Sequence, residues 1–255
     1  IPANPSISFT LNNCKTTTTL SYSTSKQLSF EVYVNGKREE GFEPKIKTFF
    51  ERISQYSSFI NKYKFRIDTS NSFPHSSGIA SSASGLSALA LCICSIEQNI
   101  NSEFEGEFFL NKASFLSRLG SGSACRSLFP KMASWGKHSE LKNSSDVIGS
   151  PYDDIHPVFT TFQDTILLVD KGQKQVSSTL GHGLMHQHPF AEARFNQANS
   201  NLSKLKRALQ TGDLVAFNKI VETEALTLHA MMMSSDPYFL LVRPNTIAII
   251  EKVWA

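Results

Sequence analysis

Between Tyr63 and Ser95 the chain changes character twice, and the order of those changes limits what it can fold into. Tyr63-Lys64-Phe65-Arg66-Ile67-Asp68 alternates apolar and polar residues, as a half-buried strand does. Pro74-His75-Ser76-Ser77-Gly78-Ile79-Ala80-Ser81-Ser82 is a loop of small and hydroxyl-bearing residues. From about Ala80 to Ser95 follows an apolar run at helical spacing, with Ala83, Leu86, Ala88, Leu89, Ala90 and Leu91. Strand, serine-glycine loop and helix in that order place a helix N-terminus at the end of a strand. The N–H groups there lack partners within the helix, and the helix dipole favours an anion. Gly78 lets backbone approach a ligand closely, and Ser81 and Ser82 add hydroxyls suited to phosphate oxygens or a phosphate-bound Mg²⁺. The spacing is neither a Walker A loop nor a dinucleotide fingerprint. Taken alone, the loop also fits an ordinary serine-rich helix cap.

Strand-like segments come first and helices later. Ser6–Leu11 and Thr16–Tyr22 are rich in β-branched and hydroxyl residues, and Leu28–Val34 alternates before the hairpin pair Asn35-Gly36. Pro44 suits the first turn of a helix that sets Ile46, Phe49, Phe50 and Ile53 on one face. A helix is expected over Phe108–Leu116. A lobe junction falls at Ser150-Pro151-Tyr152-Asp153-Asp154 and a strand at Thr165–Val169. Further helices are expected at Phe190–Thr211, at Asp213–Met231 and from Asn245. The pattern predicts an α+β protein in two lobes, residues 1–155 and 156–255.

Composition closes off other classes. With 255 residues, 40% hydrophobic, the chain can bury a large core, and nineteen Phe residues point to an aromatic one. A net charge of +3 without a basic tract argues against nucleic acid as a partner. No apolar run reads as long enough to cross a bilayer, so no membrane partner is expected. Cys14, Cys92, Cys94 and Cys125 lack zinc-ligand spacing and read as buried free thiols, which suits a reducing cytoplasm. Both ends read as cut. The chain opens at Ile1-Pro2 without Met and stops at Val253-Trp254-Ala255 within a helical pattern.

A second small-residue cluster, Gly120-Ser121-Gly122-Ser123-Ala124-Cys125-Arg126-Ser127, joins potential backbone anion donors to one arginine. Arg126 offers a planar fork for phosphate or carboxylate, although a glycine-rich turn with Arg126 in a structural ion pair would read the same way. Three further features carry weaker signals. His182, His186 and His188 could cluster on a metal but lack nearby carboxylates, and they read better as a loop bordering a cleft. Asp153 and Asp154 read as a turn or helix cap, and Met231-Met232-Met233 as core.

Pro74–Ser82 is similar to the Pro-x3-Gly-Leu-x-Ser-Ser motif of the GHMP-type small-molecule kinases, and the Gly120–Ser127 octet resembles that of the diphosphomevalonate decarboxylases among them. Asn4–Leu11 with Thr16–Thr19, Asn71-Ser72-Phe73-Pro74 and Leu228-His229-Ala230 continue the resemblance in the same order. The resemblance implies a two-lobed GHMP kinase fold, with an N-terminal lobe like ribosomal protein S5 domain 2 and a ferredoxin-like α/β C-terminal lobe. It implies ATP and Mg²⁺ as cofactors, mevalonate 5-diphosphate as substrate and a homodimer. Pro74, Gly78, Ala80, Ser81 and Ser82 would hold the nucleotide, with Ser82 on the metal. Ser121, Gly122, Ser123, Ala124, Cys125 and Arg126 would hold the substrate, Arg126 on its carboxylate. Lys45 aligns loosely with a basic residue that grips the diphosphate. The family's K-Y-W-G-K segment would precede Ile1, and its D-A-G-P-N segment, with the expected catalytic aspartate, lies beyond Ala255. Where the family has T-V-x-T-S, this chain reads Leu184-Met185-His186-Gln187-His188. The same residues also fit a related GHMP-type kinase or decarboxylase acting on mevalonate or its monophosphate, or a binding relative without catalysis.

Overall fold

The structure is a computed structural model that describes residues 1–74, 78–101, 105–169 and 178–255, with the side chains of Ser178 and Thr179 left aside. His75, Ser76 and Ser77 of the serine-glycine loop lie outside the described residues. The chain divides into two compact units, one of Ile1–Pro2 and Ser6–Tyr152, the other of Ala3–Pro5 and Asp153–Ala255.

The first unit is built on two sheets. β1 (Ser6–Phe9), β6 (Met132–Trp135) and β7 (Ser150–Pro151) form an antiparallel sheet in the order β1-β6-β7. β2 (Thr16–Thr24), β5 (Tyr63–Asn71), β3 (Ser29–Val34) and β4 (Lys37–Arg38) form the other, in the order β2-β5-β3-β4. β2 pairs antiparallel with β5 over its whole length, from Thr16↔Asn71 to Thr24↔Tyr63. β3 runs parallel to β5, so the chain crosses over between them through β4 and α1 (Glu43–Ile53). Asn35 and Gly36 close the β3–β4 hairpin with φ of 51° and 79°, the left-handed pair that a two-residue turn demands.

Three helices join the larger sheet in one core, α3 packing on α1 and α2. α1 turns Phe49, Phe50 and Ile53 inward, leaving Ile46 partly buried. α2 (Ser81–Ile100) buries Leu86, Leu89, Ala90, Ile93 and Cys94, and α3 (Gly106–Gly120) buries Ala113 and Leu116. The Phe-rich composition resolves into a stack in which Phe50 lies on Phe65 at 5.5 Å between ring centroids, flanked by Phe30 and Phe49. α2 corrects one expectation. Its 20 residues reach a mean hydropathy of 1.2, long and apolar enough by length and composition to span a bilayer. Its apolar side chains instead supply the centre of this core.

The second unit is helical among the described residues. α4 (Ser178–Gly183) leads through a short 3-10 turn, Leu184–Gln187, to α5 (Ala191–Thr211), α6 (Leu214–Met233) and α7 (Pro244–Trp254). Gly212, at φ 79°, ends α5, and the Asp213 carboxylate caps α6 by accepting the Ala216 N–H at 2.9 Å. Arg194 of α5 pairs with Glu224 of α6, whose carboxylate also accepts from Asn201 at 2.8 Å. The strand expected at Thr165–Val169 is not formed. The Val169 N–H turns back to the Leu167 carbonyl at 3.1 Å, and Ile166, Leu167 and Leu168 are exposed. A strand needs a neighbouring backbone, and no described residue pairs with this stretch. Of the three methionines expected in a core, Met232 is buried and Met233 is exposed.

Candidate functional site

β5 delivers the chain to the first part of the site. Its end is tied down: Asn71 Oδ1 accepts the Thr16 hydroxyl at 2.6 Å, and the Ser72 hydroxyl donates to the Asn13 carbonyl at 2.6 Å while accepting the Lys15 N–H at 2.9 Å. Beyond Pro74, Gly78 takes φ 92° with open space where a side chain would be. Ala80, the residue before α2, is left-handed at φ 58°, a conformation uncommon for a residue with a Cβ and one that clusters at ligand-binding positions. Among the described residues no side chain caps α2, and its first turn holds no acid. The first helical bonds run from Ala83 and Ser84 to the Ala80 carbonyl, so the N–H groups of Ser81 and Ser82 lie ahead of the helix's own ladder.

Ser81 and Ser82 stand at one end of a cleft whose floor is Val32, Ile67, Leu86 and Leu89 and whose polar rim includes Asn71 and Lys45. Partial desolvation draws the pKa of Lys45 below the ordinary lysine value. An apolar floor with hydroxyls, free helix N–H groups and an ammonium at the rim fits a ligand with a flat body and an anionic end. The donor set therefore suits a nucleotide polyphosphate. It suits Mg²⁺ only through phosphate oxygens and the Ser82 hydroxyl, because the described residues hold no cluster of His, Cys, Asp and Glu able to bind a metal.

The second part begins where α3 ends. Gly120 lies against Phe49 and Leu86, where a Cβ would meet their side chains at 2.8 and 3.0 Å, so Leu86 sits both on the cleft floor and beneath the glycine cluster. Ser121 is extended and leads into a 3-10 turn, Gly122–Arg126, in which Ala124 and Cys125 are buried. The Ser121 and Ser123 hydroxyls form no hydrogen bond with any described residue. Burial pushes the Cys125 thiol up to about 12, which leaves it protonated and inert as a nucleophile.

Arg126 is half-buried, and loss of hydration draws its pKa down. Its Nη1 donates to the Ser6 hydroxyl on β1, while its buried Nε has no partner. Among the described residues no carboxylate lies within ion-pair reach of it, so the structural ion pair that the sequence allowed is not made. A desolvated guanidinium with a spare N–H and no counter-charge is poised for an anionic ligand. In the sequence Ser6 belongs to a strand and to the Asn4–Leu11 resemblance, and neither links it to Arg126.

The remaining candidates separate from this chemistry. His182 and His186 are exposed, whereas His188 is buried. The His188 Nδ1 accepts the Phe190 N–H at 3.1 Å, and its Nε2 lies 3.1 Å from the Met231 carbonyl and 3.2 Å from the Ser234 hydroxyl. It ties the Leu184–Gln187 turn to the end of α6, which corrects the loop reading for that residue. Asp153 and Asp154 are exposed, and Asp154 accepts from Gln210.

The fold defines an α+β protein of the GHMP-kinase type. The chain belongs to the family of the diphosphomevalonate decarboxylase-like N-terminal domain, whose model matches residues 1–147. Among similar proteins, the diphosphomevalonate decarboxylase of Candida albicans is 27% identical over 268 residues, covering 99% of this chain and 71% of its own length. That of Ganoderma lucidum is 27% identical, with 99% and 64% covered, so the chain spans about two thirds of the length of the curated relatives it matches. A mevalonate diphosphate decarboxylase structure from Legionella pneumophila superposes with a TM-score of 0.79 at 28% identity, covering 99% of this chain and 78% of that one. A structure described as MDDEF in complex with MVAPP, AMPPCP and magnesium matches with a TM-score of 0.79 at 25% identity, covering 99% and 73%.

Proposed function

We propose that the protein decarboxylates mevalonate 5-diphosphate in an ATP-dependent reaction, giving isopentenyl diphosphate for isoprenoid synthesis. The observation that carries this reading is Arg126, a half-buried guanidinium without a counter-ion among the described residues, set in an octet resembling that of the decarboxylase branch. Bound ATP with Mg²⁺ would supply the phosphoryl group for the tertiary 3-hydroxyl, and loss of that phosphate accompanies loss of CO₂.

The chain's own residues then do the work of holding and orienting. The open start of α2 binds phosphate oxygens through the N–H groups of Ser81 and Ser82, and Gly78 leaves room for a close approach. The Ser82 hydroxyl would help to hold the phosphate-bound Mg²⁺. Arg126 grips the substrate carboxylate, and Ser121 and Ser123 hydrogen-bond its polar groups. Fixing both partners in one lobe converts an encounter into a positioned reaction, the main source of rate in phosphoryl transfer. Lys45, which lines the same cleft as Ser81 and Ser82, adds positive charge there.

A coupled assay with mevalonate 5-diphosphate tests the proposal. Equal release of ADP and CO₂ is expected, and ADP without CO₂ would overturn decarboxylation in favour of a kinase. The family resemblance further supports a homodimer in the cytoplasm, consistent with four free cysteines. Sedimentation of the purified protein and imaging of a tagged copy test those two points.

A further inference from the structure

Ser114 is a helix residue that is fully buried, at 0% exposure, and its hydroxyl serves neighbours outside its own helix. The Oγ–H donates to the Cys125 carbonyl at 2.9 Å, and the same oxygen accepts the Gly149 N–H at 2.8 Å. Serine within a helix commonly bonds back to a carbonyl one turn earlier. Ser117, equally buried, does so, donating to the Ser114 carbonyl at 2.8 Å. Ser114 instead joins three separate stretches of chain: α3, the Gly122–Arg126 turn and the approach to β7.

Gly149 completes the joint by contact. A Cβ there would lie 2.5 Å from the Cys125 carbonyl oxygen and 3.2 Å from the Arg126 Cα. The peptide between Cys125 and Arg126 is therefore held by a hydrogen bond from Ser114 and by close packing from Gly149. At its far end the Arg126 side chain has one neutral partner, Ser6, and an unpaired Nε. Its placement thus depends heavily on the backbone from which it springs. We infer that Ser114 and Gly149 are positioning residues that set Arg126 for its anionic ligand. This rests on the substrate role proposed above for Arg126.

The test compares Ser114→Ala, Gly149→Ala and Ser117→Ala with the unaltered protein. Calorimetry measures Kd for mevalonate 5-diphosphate and for ATP, and phenylglyoxal labelling followed by mass spectrometry measures the reactivity of Arg126. Ser114→Ala and Gly149→Ala should each weaken mevalonate 5-diphosphate by about 10-fold or more, since small displacements of a positioned group carry penalties of that size or larger. ATP affinity should stay within about twofold, and the labelling rate of Arg126 should change. Ser117→Ala should lower the melting temperature without moving either readout. If Ser114→Ala and Ser117→Ala shift substrate affinity and labelling equally, the inference is overturned. Should Ser114→Ala fail to fold, Gly149→Ala perturbs the same peptide without removing a hydroxyl. Should the unaltered protein bind no mevalonate 5-diphosphate, the functional proposal falls, while labelling still decides whether Ser114 and Gly149 set Arg126.

Discussion

The indole of Trp135 lies over Gly122 so closely that a Cβ on the glycine would stand 2.6 Å from Trp135 Cη2. The ring cannot easily withdraw, because its Nε1–H donates to the Asp146 carbonyl at 3.0 Å. β6 thereby presses on the turn that carries Arg126, and a residue without a side chain is the one that fits.

Gly122→Ala should therefore destabilise the protein by about 1–3 kcal/mol, the usual range for overpacking a filled site. Urea denaturation measures the change. A midpoint equal to that of the unaltered protein would show that Trp135 has room to move.

Arg126→Ala should lower kcat/KM for mevalonate 5-diphosphate by roughly 10²-fold or more, through loss of a charge-assisted pair of hydrogen bonds. Arg126→Lys should restore little of it, because an ammonium lacks the planar fork. Steady-state kinetics on the folded variants decide the point, and unchanged values would remove Arg126 from the site.

Ala80 sits at φ 58°. Ala80→Gly should leave thermal stability nearly unchanged, since relief of the left-handed strain offsets the added freedom of glycine in the unfolded chain. Ala80→Val should cost about 1–3 kcal/mol and weaken ATP, because a β-branched residue resists that conformation. Calorimetric melting with and without ATP separates the two effects.

Burial pushes the Cys94 and Cys125 thiols from an ordinary 9.0 up to about 12. The folded protein thus keeps protons that the unfolded chain gives up first. The stability from these protonated thiols is fully present below about pH 9 and is lost as pH rises towards 12, by up to about 1.4 kcal/mol per pH unit for each thiol. Denaturation at pH 8 and pH 10 should show a steeper loss than in a Cys94→Ala, Cys125→Ala variant. At pH 8, iodoacetamide should label the half-buried Cys14 and Cys92 well before the other two.

Much of the first unit was legible because its local signals and its packing agree. Asn35-Gly36 forms the expected hairpin, and the apolar face of α1 is the buried one. The serine-glycine loop opens α2, as the change from alternating to helical periodicity implied. What could not be read was set by contacts distant in sequence. Nothing local marks Ser6, 120 residues from Arg126, as its partner, or tells Ser114 from Ser117. Thr165–Val169 has strand-like composition, but composition cannot supply a neighbouring strand. The three histidines looked equivalent until burial and three close polar neighbours set His188 apart.

The missing cap on α2 has a thermodynamic consequence. An anion bound at that helix start completes a structure that the chain leaves unfinished, so ligand concentration enters the folding equilibrium itself. By mass action, a nucleotide at 100 times its Kd would raise the unfolding free energy by about 2.7 kcal/mol. The protein's resistance to heat and to proteases should then rise with the free concentration of that nucleotide. A melting curve becomes a titration of the site that needs no turnover.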